Sequence, residues 1–208
     1  MKRCFSMVKL VGVCLLLSCC VAKTSVSFLT SPLGASPLVL GKRQILVAQA
    51  RKVVEEYKHL PYKFGGADPK SGGFDCSGAM SFVMKRCGYK PPRTSAQQYV
   101  WIRNNAKIHL VGKKVDSFDD PAFKHLRVGD LLFWSGTYTP TDGRKVKISH
   151  VGIYLGKEKD GRRIMACASK GRSYRGKKGD GYGIYDFRLP RKTSKSTFVG
   201  YGSIPGMP

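Results

Sequence analysis

The chain has 208 residues, of which 37 are Lys or Arg and 13 are Asp or Glu, a formal net charge of +24. Such a balance attracts polyanions: nucleic acid, acidic membrane lipid or an anionic cell-wall polymer. The basic residues are scattered, with local clusters such as Arg172 to Lys178 and Arg191-Lys192-Lys195, and no nucleic-acid-binding motif accompanies them, so nucleic acid is not an expected partner. The cysteines show no C-x-x-C pair and no metal-ligand spacing, which argues against a zinc site.

Lys2, Arg3 and Lys9 precede an apolar run from Leu10 to Leu17, followed by Ser18-Cys19-Cys20. A positive start and a short apolar stretch describe an export leader, too short to span a bilayer. Leu16-Leu17-Ser18-Cys19 also resembles a bacterial lipoprotein signal, which implies cleavage after residue 18 and a lipid on the Cys19 thiol, tying the chain to a membrane. Plain secretion with a cut near Ala22, or an uncleaved hydrophobic end, are the alternatives. Loss of the leader lowers the basic count to 34 against 13 acidic residues, a net +21, which suits delivery to an anionic envelope surface. Cys20 is not an aspartate, which in typical Gram-negative sorting favours the outer membrane.

Residues 19–43 read as a tether, rich in Ser, Thr, Pro and Gly between Thr24 and Leu40. The domain is expected over residues 44–205, and about 160 residues suffice for one core. Gln44 to Lys58 carries Ile45, Ala48, Val53, Val54 and Tyr57 at near-helical spacing, and Pro61 closes that helix. A glycine-rich approach from Tyr62 to Gly73 leads into Phe74-Asp75-Cys76-Ser77-Gly78, where a partly buried helix starts and runs toward Gly88. Pro91-Pro92-Arg93-Thr94-Ser95 predicts an extended turn and Ala96 to Ile102 a further helix. Arg127 to Trp134 is a turn into a strand, and Thr137 to Lys147 a polar loop. Ile148 to Gly156 reads as a strand with Val151, Ile153 and Leu155 on one face and His150 on the other. Arg163 to Ala168, Ile184 to Phe187 and Thr197 to Tyr201 are the remaining strand candidates. Helices first and strands after, at hairpin-like spacing, predict an α+β fold on an antiparallel sheet.

Cys76 is the chemical centre of this pattern. With Asp75 as N-cap, the thiol sits in the first turn of a helix, where unpaired N–H groups and the helix dipole favour a thiolate and can later hold an oxyanion. The alternative is an ordinary buried cysteine. His150, on a distant strand, supplies the imidazole that a cysteine nucleophile needs. Cys76 and Cys87 stand at opposite ends of one predicted helix, about 16 Å apart, and cannot form a disulfide. Cys87 is expected to be core packing.

Tyr62-x-Phe64-Gly65-Gly66, Phe74-Asp75-Cys76-Ser77-Gly78, Pro92-Arg93-Thr94-Ser95, Gly129-Asp130-Leu131-Leu132-Phe133 and Ser149-His150-Val151-Gly152-Ile153-Tyr154 occur in this order. Together they resemble the NlpC family of bacterial cell-wall cysteine peptidases, over about Ile45 to Gly202. The resemblance implies a papain-like α+β core with a rearranged element order, no cofactor, and hydrolysis of peptidoglycan stem peptides, usually between D-γ-glutamate and the diamino acid that follows. It implies Cys76 as nucleophile and His150 as base. It also places Tyr62, Asp75, Ser77 and Arg93 in the substrate-binding site, against a packed aromatic, an N-cap, a small helix residue and a surface charge as alternatives. The chain departs from the pattern at Cys167, where the family has a third polar residue that orients the histidine. A thiol is a weak hydrogen-bond partner, so Cys167 is either a substitute, replaced in that task by Ser169 or another polar group, or core. Two further readings stay open: a non-catalytic peptidoglycan-binding envelope protein, and an acyltransferase or lipid hydrolase on the same fold.

Overall fold

A computed structural model describes residues 41–207 of the chain. The expected leader, the lipidation site Cys19 and the tether up to residue 40 lie outside the described residues. The first helix, α1 (Lys42–Tyr57), starts two residues before the expected Gln44 because Gly41 is the N-cap and the Gln44 side chain reaches back to the Gly41 N–H at 2.9 Å. Its Leu46, Ala50, Val53 and Val54 form the buried stripe.

A short hairpin, β1 (Ala67–Asp68) and β2 (Gly73–Phe74), brackets a single 3₁₀ turn at Pro69–Ser71. It delivers the chain directly into α2 (Cys76–Arg86), which is buried along most of its length and ends with Gly88 at φ 82°. Helix α3 (Ser95–Asn105) begins at a capping box in which Thr94 and Gln97 exchange hydrogen bonds, one residue before the expected Ala96.

Among the described residues, the main sheet comprises β3 (Ile108–Leu110), β4 (Leu131–Ser135), β5 (Ile148–Lys157), β6 (Arg163–Tyr174), β7 (Lys177–Asp186) and β8 (Thr197–Gly202). They lie in the order β3-β8-β4-β5-β6-β7, and every neighbouring pair is antiparallel. The arrangement is the α+β class expected from the sequence. Alternation along β5 separates two cores: Val151, Ile153 and Leu155 pack against the three helices, while Tyr154 joins Trp134, Met165, Cys167 and Phe187 on the opposite face. Asp130, buried at the entrance to β4, is held by Arg43 at 2.8 Å, by Ser203 at 2.9 Å and by the Arg127 N–H at 2.9 Å, so α1 is fastened to the sheet.

Candidate active site

The start of α2 is built by three cooperating residues. Asp75 has extended backbone, and its Oδ1 accepts from the Gly78 N–H at 2.6 Å, capping the helix that Cys76 opens. The helix end packs directly on the chain before β1, where a Cβ on Gly78 would stand 2.1 Å from the Gly66 carbonyl oxygen. No other residue type fits there. Arg93 then closes the arrangement, donating to Asp75 Oδ1 at 3.0 Å, Asp75 Oδ2 at 2.7 Å, Ser77 Oγ at 3.1 Å and the Gly65 carbonyl at 2.8 Å. Gln98 of α3 braces the same turn from behind, with Nε2 at 3.0 Å from the Ser77 carbonyl.

Cys76 is buried, and its Sγ lies 4.0 Å from the Ser149 carbonyl oxygen, one residue from His150 on β5. The backbone N–H groups of Val151, Ser77 and Cys76 favour the sulfur anion. Burial first, and the neighbouring Asp75 charge second, outweigh them and push the thiol up to about 11. This corrects the expectation of a resting thiolate: the helix start is as expected, but desolvation dominates it.

His150 stands opposite Trp134 in the β4–β5 ladder, with ring centroids 5.4 Å apart, on the sheet face away from Val151. It is buried, and among the described residues its Nε2 has no hydrogen-bond partner. Burial, followed by the nearby Arg172 guanidinium, holds the imidazole well below its ordinary 6.5. At rest the site therefore holds a neutral thiol and a neutral imidazole. Among the described residues no hydrogen bond joins Cys76 to His150; catalytic hydrogen bonds commonly tighten only when substrate is present.

Two cavities, one lined by Cys76 and the other by His150, share a wall. One, about 370 Å³, is lined by Cys76, Asp75, Ser77, Arg93 and Ser95. The other, about 400 Å³, is lined by Ser149, His150, Ser169, Lys170 and Arg172. Tyr62, Phe64 and Tyr138 line both, and Phe64 meets Tyr138 edge to face at 5.8 Å over the junction. Tyr62 is half-buried, and its hydroxyl is held protonated above the ordinary tyrosine range by burial and by the charges of Cys76 and Asp75. All four residues expected to bind substrate thus line the Cys76 cavity, and Asp75 is at once its N-cap and its anchor for Arg93.

Cys167 is fully buried on β6, in the core with Trp134, Tyr154 and Met165, and burial pushes its thiol up to about 12. It shares the His150 face of the sheet, packing against Gly152, yet among the described residues it makes no hydrogen bond to the imidazole. Arg172, Tyr138 and Gln98 belong to the site without a distinguishing signal in the sequence. Arg172 was lost in a basic cluster that reads as solvated charge, and Tyr138 in a loop without periodicity. Gln98 carries no signal that separates it from an ordinary helix residue.

A profile of the NlpC/P60 family matches residues 59–182. The gamma-DL-glutamyl hydrolase of Bacillus subtilis (strain 168) is 38% identical over 117 residues, covering 56% of this chain and 22% of that protein. The gamma-D-glutamyl-L-lysine dipeptidyl-peptidase of the same organism is 33% identical over 144 residues, covering 65% of this chain and 40% of that protein. A solved structure from Staphylococcus aureus subsp. aureus Mu50, described as similar to lipoprotein of the NLP/P60 family, superposes on 84% of this chain and 44% of its own with a TM-score of 0.47 and 25% identity. The chain spans well under two thirds of the length of each of these relatives.

Proposed function

The chain belongs to the NlpC/P60 family, and from that premise we propose that it is a cysteine endopeptidase acting on peptidoglycan stem peptides, at the bond between D-γ-glutamate and the following diamino acid. The observation that carries this reading is the placement of Cys76 at a capped helix start, its sulfur against β5 one residue from His150.

In this reading the neutral imidazole removes the thiol proton as sulfur attacks the scissile carbonyl, so no resting thiolate is needed. The carbonyl oxygen becomes an oxyanion held by the N–H groups of Cys76 and Ser77, since of the first three N–H groups of α2 Asp75 accepts from that of Gly78. Collapse breaks the C–N bond, and the imidazolium returns its proton to the departing amine. Water then attacks the thioester, giving a proton to His150, which restores the thiol on release of the acid. Tyr62 and Arg93 line the wall that faces the acyl half. Export, lipid attachment at Cys19 and a basic surface near net +21 would bring the enzyme to the anionic envelope.

The test is digestion of purified muropeptides by the protein, with products read by mass spectrometry beside Cys76→Ala. A new diaminopimelate-terminated fragment that is absent with the variant supports the endopeptidase. Intact muropeptides that remain bound to the protein would replace it with a wall-binding module.

A further inference from the structure

The two cavities differ in how their cations are matched. In the Cys76 cavity each arginine meets an acid of the protein: Arg93 meets Asp75 at 2.7 Å, and Arg144 Nε meets Asp142 at 2.7 Å. In the His150 cavity, Lys170 and Arg172 line the wall and, among the described residues, no acidic side chain does. Asp180, opposite Lys170 on β7, has Oδ1 occupied by the Tyr62 N–H at 2.9 Å.

Arg172 is also held in place without using its donors. Between the Lys170–Asp180 and Ser173–Lys178 pairs, β6 contains one residue more than β7, and Gly171 takes φ 86°. That bulge interrupts the ladder at Gly171-Arg172, and bulges of this kind re-aim a side chain. The guanidinium then lies over the Trp134 ring, 4.8 Å from its centroid, beside His150. Among the described residues it donates no hydrogen bond to another protein group. A half-buried, stacked guanidinium with its fork of donors open to a cavity is prepared for a planar anion such as a carboxylate.

The chemistry says which part of a substrate reaches it. His150 returns a proton to the departing nitrogen, so that nitrogen must come within hydrogen-bond reach of the imidazole. The residue that carries the nitrogen therefore occupies the His150 cavity, and the acyl half occupies the Cys76 cavity. We propose that Arg172, supported by Lys170, is a specificity determinant that binds a free carboxylate on the amino acid released from the scissile bond. The inference rests on the endopeptidase reading for the direction of the substrate. Released residues in which the carboxylate that is read is amidated or absent are then poorer substrates.

The experiment uses the whole protein and the tripeptide L-Ala-γ-D-Glu-diaminopimelate, compared with its α-carboxamide, its distal carboxamide and the L-Lys analogue. The rate constant kcat/KM should fall about tenfold for at least one carboxamide, as expected for losing a hydrogen bond to a charged group. The pair of carboxamides identifies which carboxylate is read. In Arg172→Gln the ratio between acid and carboxamide should fall to near one, and in Arg172→Lys it should stay in between. Because this is a ratio, a general loss of activity in a variant does not mimic it. Equal kcat/KM for all four peptides in the native protein would overturn the proposal while leaving the endopeptidase standing. The same four peptides titrated into Cys76→Ala by calorimetry separate the remaining cases. If none is cleaved but binding prefers the free acid through Arg172, the carboxylate site stands and the endopeptidase falls. If none is cleaved and none binds with that preference, both fall.

Discussion

Arg93 and Asp75 are joined at both oxygens of the carboxylate, at 3.0 and 2.7 Å, directly beside the nucleophile. The pair fixes the first turn of α2, and the carboxylate charge also helps keep the adjacent thiol protonated, after burial. These two effects separate in Asp75→Asn. Asparagine still caps a helix, so stability should fall by only about 1 kcal/mol, from the lost charged hydrogen bonds to a partly exposed arginine. Removing the charge lowers the Cys76 pKa, so alkylation by iodoacetamide at about pH 8 should accelerate about threefold. Unchanged or slower labelling of a folded variant would contradict the assigned role of Asp75.

The acid limb of kcat/KM should lie below the ordinary histidine value of 6.5. His150 must be neutral to accept the thiol proton, and burial with Arg172 lowers the pH at which it protonates. Among the described residues, the other titratable or charged groups lining its cavity are Tyr62, Tyr138, Lys170 and Arg172. Removing the Arg172 charge favours the imidazolium, so the limb should move to higher pH in Arg172→Gln. A pH–rate profile of both proteins checks the sign. The same shift enters stability: with its folded pKa depressed, His150 contributes stability above 6.5 that is lost as pH falls through the folded value.

Gly78→Ala places a Cβ where the structure has 2.1 Å to the Gly66 carbonyl oxygen. Neither partner is a flexible side chain, so the hairpin and the helix start must part. The expected cost is about 1–3 kcal/mol by urea denaturation, with loss of most activity because Cys76 moves. Alanine accepted with full stability would show that the close packing is not required.

Cys167→Ala tests whether the thiol orients His150. The side chain is a small buried hydrophobe against Gly152, so the variant should lose about 1 kcal/mol and keep kcat/KM within about threefold. A loss of a hundredfold or more in a folded protein would restore Cys167 to the catalytic group.

Much of this site was legible in the sequence because its signals are local. The Asp75-Cys76 cap, the β5 alternation that turns His150 away from Val151, and the helix closing at Gly88 each follow from a few adjacent residues. The β6–β7 hairpin was not. Its strands were expected at Arg163 to Ala168 and Ile184 to Phe187, yet they run to Tyr174 and start at Lys177. The extension is rich in Gly, Lys and Arg and largely solvated, so it has no apolar alternation to read, and only the turn itself, Arg175 at φ 50° and Gly176 at φ 80°, closes it. Arg172 was hidden with it. The protonation state of Cys76 is not legible locally: helix-end electrostatics follow from position, whereas burial depends on Ser149 and β5, more than seventy residues away.

The most direct measurement is rapid-quench mass spectrometry of the intact protein mixed with L-Ala-γ-D-Glu-diaminopimelate. A Cys76 thioester predicts a transient mass increase equal to the L-Ala-γ-D-Glu acyl group, mapped to the peptide that contains Cys76 and absent in Cys76→Ala. Release of diaminopimelate by Cys76→Ala at the native rate, with no adduct on the native protein, would contradict it.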